Sequence, residues 1–147
     1  MDIPVLQRYL HDRIPLSKAM DVQVVEATED CVTLCAPLEP NINHRDTVFG
    51  GSASAVAILS AWTLMYLRLK SEGFNVRIVI QKNTMTYERP IAGRFTASAT
   101  VSDPTAWKRF VDTLRRKSRG RFTVHSVLSH DSGKAGEFEG DFVASLL

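Results

Sequence analysis

The chain has 147 residues, of which 44% are hydrophobic and 23% are charged. This balance is typical of a globular domain with a buried core and argues against a disordered or fibrous chain. The formal net charge of +2 says little about partners until its distribution along the chain is considered. We expect a single domain over residues 1–147.

The N-terminus and the cysteines indicate a cytoplasmic protein. Asp2 and Pro4 stand where a secretory signal peptide would carry basic residues. Cys31 and Cys35 lie in one predicted strand, about 13 Å apart along it, which is beyond the reach of a disulfide. Histidines at metal-ligand spacing do not accompany them, so a zinc site is not expected. We therefore predict two reduced thiols and no metal.

The first third of the chain predicts a helix followed by a hairpin. Asp2 is a typical N-cap, and the proline after Ile3 suits a first helical turn, so a short amphipathic helix is expected to end before Pro15. Two β-type runs at residues 22–27 and 31–38 are then joined by a short polar turn.

A long apolar helix is predicted from about Gly51 to Lys70. Residues 50–67 carry no charge over 18 positions, which is near the lower limit for a membrane-spanning helix. The segment also contains glycine, serine and threonine, and strand-like runs follow it closely. We therefore interpret it as a helix buried inside the fold and expect no membrane partner.

Four β-type runs follow this helix, at residues 76–90, 95–101, 122–130 and 136–147. Ala92-Gly93 predicts a turn that pairs the first two runs, and residues 131–134 predict a hairpin between the last two. A short basic helix is expected over residues 104–118. An antiparallel sheet wrapped around the apolar helix satisfies this order, which makes the fold class α+β. Such a sheet leaves one side exposed, so a homodimer or a dimer of dimers is expected.

The loop before the long helix carries a recognisable motif. Residues 40–52 read PNINHRDTVFGGS, and the strand after the helix ends YERP. With the layout of helices and strands, these features resemble the hotdog-fold thioesterase superfamily, and within it the YiiD C-terminal-type family. The resemblance covers nearly the whole chain. It implies a hotdog fold and acyl thioesters of coenzyme A or acyl carrier protein as substrates, with phosphopantetheine as the carrier and no other cofactor.

Two departures distinguish this chain from the acyl-CoA thioesterases of that superfamily. Many of them carry an asparagine six residues before a His-Gly-Gly motif. Here Asn43 and the Gly50-Gly51 pair match, whereas Phe49 replaces the histidine. Those enzymes also place an acid about two helical turns further on, where this chain has Ile58. The resemblance therefore implies a thioester site without the usual catalytic acid.

The same loop offers hydrogen-bond donors that suit a thioester carbonyl. Backbone N–H groups at a helix start are unpaired and lie at its positive end, so Gly51 and Ser52 are candidates to stabilise a developing oxyanion. Asn43 supplies two donors and an acceptor without charge, and the Thr47 hydroxyl is placed to assist. We assign Asn43, Thr47, Gly51 and Ser52 as catalytic candidates.

Structural explanations compete for the same residues. Gly50-Gly51 would also serve to turn the chain into the helix, and Thr47 or Ser52 would serve as a helix cap. Asn41 and Asn43 are common turn residues that bond their own backbone, and for Asn41 we prefer that interpretation.

His44 and Asp46 are the acid–base candidates of the loop. Histidine often acts as a general base near neutral pH, although a solvated loop histidine without a role is common. Asp46 stands where a loop aspartate would replace the missing helix acid, but a solvated ion pair with Arg45 is the favoured interpretation. We assign His44, Phe49 and Gly50 as substrate-binding candidates.

The absence of a helix acid favours decarboxylation over hydrolysis. Hydrolysis needs a base or a carboxylate nucleophile, whereas a malonyl thioester loses carbon dioxide once its enolate oxygen is stabilised. The resemblance also implies this option, because some YiiD-type proteins are malonyl-acyl-carrier-protein decarboxylases, which initiate fatty acid synthesis. An acyl thioesterase that uses His44 or Asp46, and a non-catalytic acyl-thioester-binding protein, are the alternatives.

A basic run indicates an acidic partner. Residues 107–121 contain one acid, Asp112, against seven basic residues: Lys108, Arg109, Arg115, Arg116, Lys117, Arg119 and Arg121. Such a surface attracts acyl carrier protein or the phosphates of coenzyme A, and we assign Arg115, Arg116 and Lys117 to substrate binding. Aromatic residues are not interleaved as single-stranded nucleic acid would require, so nucleic acid is not expected. A solvated helix face is the alternative.

Overall fold

The computed structural model describes residues 2–147 as helices around one sheet. The helices are α1 (Ile3–Arg13), α2 (Pro15–Ala19), α3 (Gly50–Ser71) and α4 (Pro104–Lys117), with a 3-10 turn at Glu39–Asn41. The strands are β1 (Gln23–Ala27), β2 (Cys31–Ala36), β3 (Val76–Tyr87), β4 (Phe95–Thr100), β5 (Arg119–His130) and β6 (Gly133–Leu146). The N-cap is confirmed, since the Asp2 carboxylate accepts from the Val5 N–H at 2.9 Å. Helix α2, which begins at Pro15, was not predicted.

The six strands form one antiparallel sheet in the order β1-β2-β4-β5-β6-β3. The prediction that residues 95–101 pair with residues 76–90 is wrong, because β4 lies between β2 and β5 while β3 pairs with β6 at the sheet edge. Residues 88–94 cross from that edge to the middle of the sheet. Gly93 lacks the positive φ of a tight hairpin turn; among the glycines of residues 2–147 only Gly73 has one.

The β5–β6 hairpin confirms the other predicted turn. Asp131 and Ser132 both have positive φ, 52° and 60°, as a two-residue hairpin loop requires. The turn lies within the predicted residues 131–134. Both cysteines are free, as predicted.

Helix α3 packs along the inner face of the sheet, against β2 to β6. Its sheet-facing side chains are fully buried, among them Val56, Leu64 and Met65, each worth about 1.5–3 kcal/mol when removed from water. The Ser60 and Ser126 hydroxyls satisfy each other at 2.8 Å between helix and β5. By length and hydropathy α3 also meets the criteria for a membrane span, and 56% of its apolar window is buried against the rest of the chain. Packing accounts for its apolar composition.

A stripe of α3 lies beside the β3 edge of the sheet, where the Trp62 indole N–H donates to the Ile78 carbonyl at 3.0 Å. Ala55, Ile58, Trp62 and Tyr66 follow one another at three- and four-residue spacing and are all half-buried. Tyr9 of α1 covers one end of the stripe, with its ring stacked on Tyr66 at 5.1 Å between centroids. The rest of the stripe lines a groove.

The two edges of the sheet differ in how they are protected. At β1 the side chains of α1 occupy the edge: Gln7 accepts from the Val24 N–H at 2.9 Å, and His11 lies 2.7 Å from the Val22 carbonyl oxygen. At β3 no strand or helix of residues 2–147 pairs with the outer edge over 12 residues. A long unpaired edge of this kind is a ready template for another chain.

Candidate functional site

Asn43 organises the loop that leads into α3. Its Oδ1 accepts from the backbone N–H groups of Arg45, at 2.8 Å, and Thr47, at 3.2 Å. Its Nδ2 donates to the Thr47 hydroxyl at 2.9 Å and more weakly to the Val48 carbonyl at 3.5 Å. Asn43 therefore bonds its own loop backbone, as a turn residue does. The Nδ2 proton directed at the Val48 carbonyl is only weakly bonded.

Three backbone donors at the start of α3 are unpaired. Phe49 is the N-cap residue, no side chain caps the helix, and the first intrahelical bond runs from the Ala53 N–H to the Phe49 carbonyl at 3.1 Å. The N–H groups of Gly50, Gly51 and Ser52 have no hydrogen-bond partner within residues 2–147. Ser52 does not cap the helix, so that alternative is wrong for this residue.

The Phe49 ring lies over the backbone of Gly51. A Cβ atom at position 51 would fall 2.4 Å from Cε2 of that ring, so Gly51 provides the room that the ring occupies. Phe49 itself is 58% exposed. The exposed ring next to a free N–H group is consistent with the expected contact between Phe49 and a substrate.

Asn41 is not the simple turn residue that the sequence suggests. Its side chain is buried, and Nδ2 donates to the carbonyls of Met20, at 3.0 Å, and Pro37, at 2.8 Å. Its backbone carbonyl accepts from the Phe49 N–H at 2.7 Å. Asn41 thus ties the end of α2 to the start of α3, which fixes the helix terminus.

His44 and Asp46 lie at the exposed tip of the loop. The expected Arg45–Asp46 ion pair does not form; none of the ion pairs found within residues 2–147 involves either residue. Asp46 instead adopts the left-handed conformation, with φ of 62°, as aspartate tolerates in turns. Neither residue lines a cavity beside the start of α3.

An apolar groove of about 240 Å³ runs along the open stripe of α3. We call it the apolar groove; it is lined by Ile14, Leu16, Met20, Ala55, Ile58, Leu59, Trp62, Ile80 and Phe142. Gly51, Ala55 and Ile58 share one helix face, so the groove begins about one turn beyond the free Gly51 N–H. None of the lining residues can titrate, and Ile58 occupies the position where the resemblance would place an acid.

A second cavity, of about 380 Å³, lies on the other flank of the helix start. We call it the charged cleft; its lining includes Thr47, Gly50, Tyr87, Glu88 and Arg89. The Tyr87 hydroxyl donates to the Gly50 carbonyl at 2.9 Å, which joins the end of β3 to the helix. Glu88, which follows β3, therefore places an acid in a cavity that also borders Gly50, although α3 itself carries no acid in its first turn.

Glu88 of the charged cleft belongs to a small ion-pair network. The Glu88 carboxylate pairs with Lys134 at 3.2 Å. Lys134 also contacts Glu137, and this hydrogen bond is the main cause that raises the pKa of Lys134. The YERP segment predicts a strand end and contributes to the resemblance, and neither signal assigns Glu88 or Arg89 to the site.

The basic segment forms an exposed face of α4, as its amphipathic pattern requires. Trp107, Phe110, Val111 and Leu114 are buried, whereas Arg115, Arg116 and Lys117 are exposed and make no ion pair within residues 2–147. The helix lies at the C-terminal end of α3, where Trp107 donates to Glu72 at 3.2 Å. Because α3 has 22 residues, or about 33 Å, this face and Gly50 lie at opposite ends of one protomer.

Comparison with known proteins identifies relatives that match the chain almost end to end. The family model YiiD_C, described as "Putative thioesterase (yiiD_Cterm)", matches residues 3–146. A protein of unknown function from Chlorobaculum tepidum TLS is 27% identical, with a TM-score of 0.92 over 98% of this chain and 94% of that one.

Two further solved structures share the fold. A "putative thioesterase" from Shewanella oneidensis is 23% identical, with a TM-score of 0.86 over 99% of this chain and 97% of its own. A thioesterase from Haemophilus influenzae is 12% identical, with a TM-score of 0.80 over 100% of this chain and 92% of its own. The long helix inside an antiparallel sheet is therefore the hotdog fold that the sequence predicts.

Proposed function

Because the chain belongs to the YiiD C-terminal thioesterase family, we propose that it acts on acyl thioesters and that its reaction is the decarboxylation of a malonyl thioester. The observation that carries the proposal is the combination of free N–H groups at the start of α3 with an adjacent groove that holds no titratable side chain. Donors beside a groove that contains no base suit a reaction that needs only an oxyanion to be stabilised.

The chemistry follows from the donors. The bond between Cα and the carboxylate carbon of the malonyl group breaks, carbon dioxide leaves, and the electron pair moves to the thioester oxygen as an enolate. The N–H groups of Gly51 and Ser52 stabilise that oxygen, and Asn43 adds a donor when Nδ2 exchanges the weak 3.5 Å contact with Val48 for the substrate. A proton from water then converts the enolate to an acetyl thioester.

Hydrolysis is the second candidate, and the observation that favours it is Glu88. A carboxylate in the cleft that borders Gly50 is placed to activate water, as the missing helix acid does in related thioesterases. Its ion pair with Lys134 orients the carboxylate, although the pair engages Oε2, one of the two oxygens that could accept a proton.

Product analysis separates these reactions. The purified protein is incubated with malonyl, acetyl and long-chain thioesters of coenzyme A and of acyl carrier protein, and products are identified by mass. Release of carbon dioxide with an acetyl thioester supports decarboxylation. A free thiol, abolished by Glu88→Gln, supports hydrolysis instead. Binding without either product would make the protein a carrier of acyl thioesters and contradict both enzymatic proposals.

We further propose that the basic face of α4 receives the acidic carrier of the substrate. Arg115, Arg116 and Lys117 are exposed and make no ion pair within residues 2–147, although the Arg115 guanidinium lies 5.2 Å from the Phe74 ring centroid, so their charges can attract carrier-protein carboxylates or coenzyme A phosphates. The face lies far from Gly50 of its own protomer. Two protomers whose free β3 edges pair antiparallel would be related by a two-fold axis. The start of one β3 would then lie beside the end of the other, and the basic face of one protomer would lie toward Gly50 of its partner. A homodimer through β3 therefore accompanies this proposal.

The dimer is tested by mass in solution. Light scattering should give about twice the protomer mass of 16.4 kDa. A stable monomer that remains fully active would contradict both the dimer and the delivery of substrate from the partner's face.

Charge reversal tests the basic face. Replacing Arg115, Arg116 and Lys117 with glutamate should raise KM for a carrier-protein substrate about tenfold at low salt, because steering and ion pairing are lost. A pantetheine thioester should react as before. The matched control reverses three exposed basic residues on α1 and α2, namely Arg8, Arg13 and Lys18. If KM for the carrier-protein substrate rises equally in the two variants, the basic face is a solvated helix surface without a role in binding.

A further inference from the structure

The Arg89 guanidinium in the charged cleft is hydrogen-bonded through Nε and Nη2 only. Nε donates to the Lys134 carbonyl at 3.0 Å, and Nη2 donates to the carbonyls of Gly133, at 2.9 Å, and His130. Nη1 has no hydrogen-bond partner within residues 2–147. Three carbonyl contacts fix the plane of the group, which leaves two N–H donors of Nη1 uncommitted in a position that the hairpin determines.

Arg89 also makes no ion pair. None of the five ion pairs within residues 2–147 includes it, so no carboxylate of the described residues lies within ion-pair distance of its guanidinium. Glu88, the acid that lines the same cleft, is paired with Lys134, which in turn contacts Glu137. The two glutamates share Lys134, so with Arg89 these four side chains are together neutral, and Arg89 is the cation among them that no carboxylate contacts. The Thr47 hydroxyl, which accepts from Asn43, retains its own proton to donate.

From this geometry we infer that the charged cleft is a carboxylate-binding subsite in which Nη1 of Arg89 and the Thr47 hydroxyl receive the free carboxylate of a dicarboxylic acyl group. The inference deepens the proposed function, on which it rests, by assigning the residues that bind the carboxylate of the malonyl group and so distinguish it from uncharged acyl groups. Acyl groups that lack this carboxylate would leave the fixed guanidinium unpaired. A thioester carbonyl at the Gly51 N–H would then have the apolar groove on one side and Arg89 on the other.

The role expected of Arg89 is binding rather than rate acceleration. An ion pair with the carboxylate stabilises the ground state, and decarboxylation removes that charge in the transition state. An interaction that weakens in the transition state lowers KM without raising kcat. Removal of Arg89 should therefore raise KM for the malonyl thioester and should not lower kcat.

Binding to unreactive probes tests the subsite. The probes are malonyl and butyryl amides of pantetheine, in which nitrogen replaces the thioester sulfur, and Kd is measured by calorimetry. Arg89→Gln should weaken malonyl-amide binding about tenfold, in line with a charged hydrogen bond of about 1.5 kcal/mol. Binding of the butyryl amide should change by less than about twofold. The matched control is Arg94→Gln, which removes an arginine outside the cleft that contacts Cys35.

A second variant guards against unfolding of the hairpin that Arg89 anchors. In Gly133→Ala the new Cβ would lie 2.7 Å from Nη2 of Arg89, so the guanidinium must shift while its charge remains. Selective weakening of the malonyl amide in this variant supports the subsite. Equal weakening of both probes in both variants, or of neither, overturns it. Because binding is measured without turnover, this outcome is independent of whether carbon dioxide is released.

Discussion

Asn43→Ala is expected to lower the turnover of a malonyl thioester by about a hundredfold or more. If Asn43 holds the enolate oxygen, its loss removes about 3 kcal/mol of transition-state stabilisation. The structure adds a second cost, since the side chain also holds the Arg45 and Thr47 N–H groups. We therefore expect a loss of about 1–3 kcal/mol in the free energy of unfolding as well. Steady-state kinetics and denaturant unfolding measure the two effects separately.

Asn43→Asp distinguishes substrate contact from loop architecture. Aspartate keeps the oxygen that accepts from the two backbone N–H groups, and it is a favoured turn residue, so the loop should persist. It lacks the Nδ2 donors and adds a negative charge beside the substrate. A stable Asn43→Asp protein without activity would support the catalytic assignment, whereas full activity would reduce Asn43 to a loop residue. Asn75→Ala, an exposed asparagine far from the loop, is the control.

The loop acids and bases give the complementary comparison. His44→Ala and Asp46→Ala should change turnover little, because both side chains are exposed at the loop tip and decarboxylation needs no base. Under hydrolysis the loss of a true base costs about 10²–10⁴ in rate, and that loss should now appear at Glu88. An inactive Asp46→Ala protein would contradict this expectation and would indicate that Asp46 takes part in the reaction.

The parts of the fold that were predicted correctly are those with local causes. Asp2 and the following proline define the start of α1, and the uncharged run after Gly50 defines α3. The position of β4 was not predictable from the same signals. A turn-like Ala92-Gly93 pair looks the same in a hairpin and in a crossover, and the choice depends on long-range pairing with β2 and β5.

The candidate site likewise contains a part with local causes, which the sequence predicts, and a part that depends on long-range contacts. The free N–H groups at Gly51 and Ser52 follow from helix geometry, so the motif located them. Glu88 and Arg89 directly follow β3, more than 30 positions after Gly50, and only the sheet topology brings them to Gly50. The signal that was available is the charged pair in YERP, directly before a proline that ends the strand. Together with the missing helix acid, this charged pair indicates Glu88 as a candidate replacement carboxylate.

Ile58→Asp is expected to lower decarboxylation by about 30- to 150-fold and to introduce hydrolysis. The side chain of residue 58 leans toward the N-terminus of α3, and so toward the substrate expected at Gly51. At a separation of about 5–8 Å and an effective dielectric constant of about 20, a second negative charge repels the malonyl carboxylate and enolate by about 2–3 kcal/mol. The same carboxylate supplies the base that activates water on an acyl thioester.

Ile58→Asn isolates the charge from the change in polarity. Both variants place a polar group of similar size in the apolar groove, so each should lose about 1–3 kcal/mol of stability. Asparagine adds no charge and no base, and its protein should retain decarboxylation within about tenfold while releasing no free thiol. Products from malonyl and acetyl thioesters, identified by mass, are the measurement. If both variants lose decarboxylation equally and neither hydrolyses, the uncharged character of the groove is not what selects the reaction.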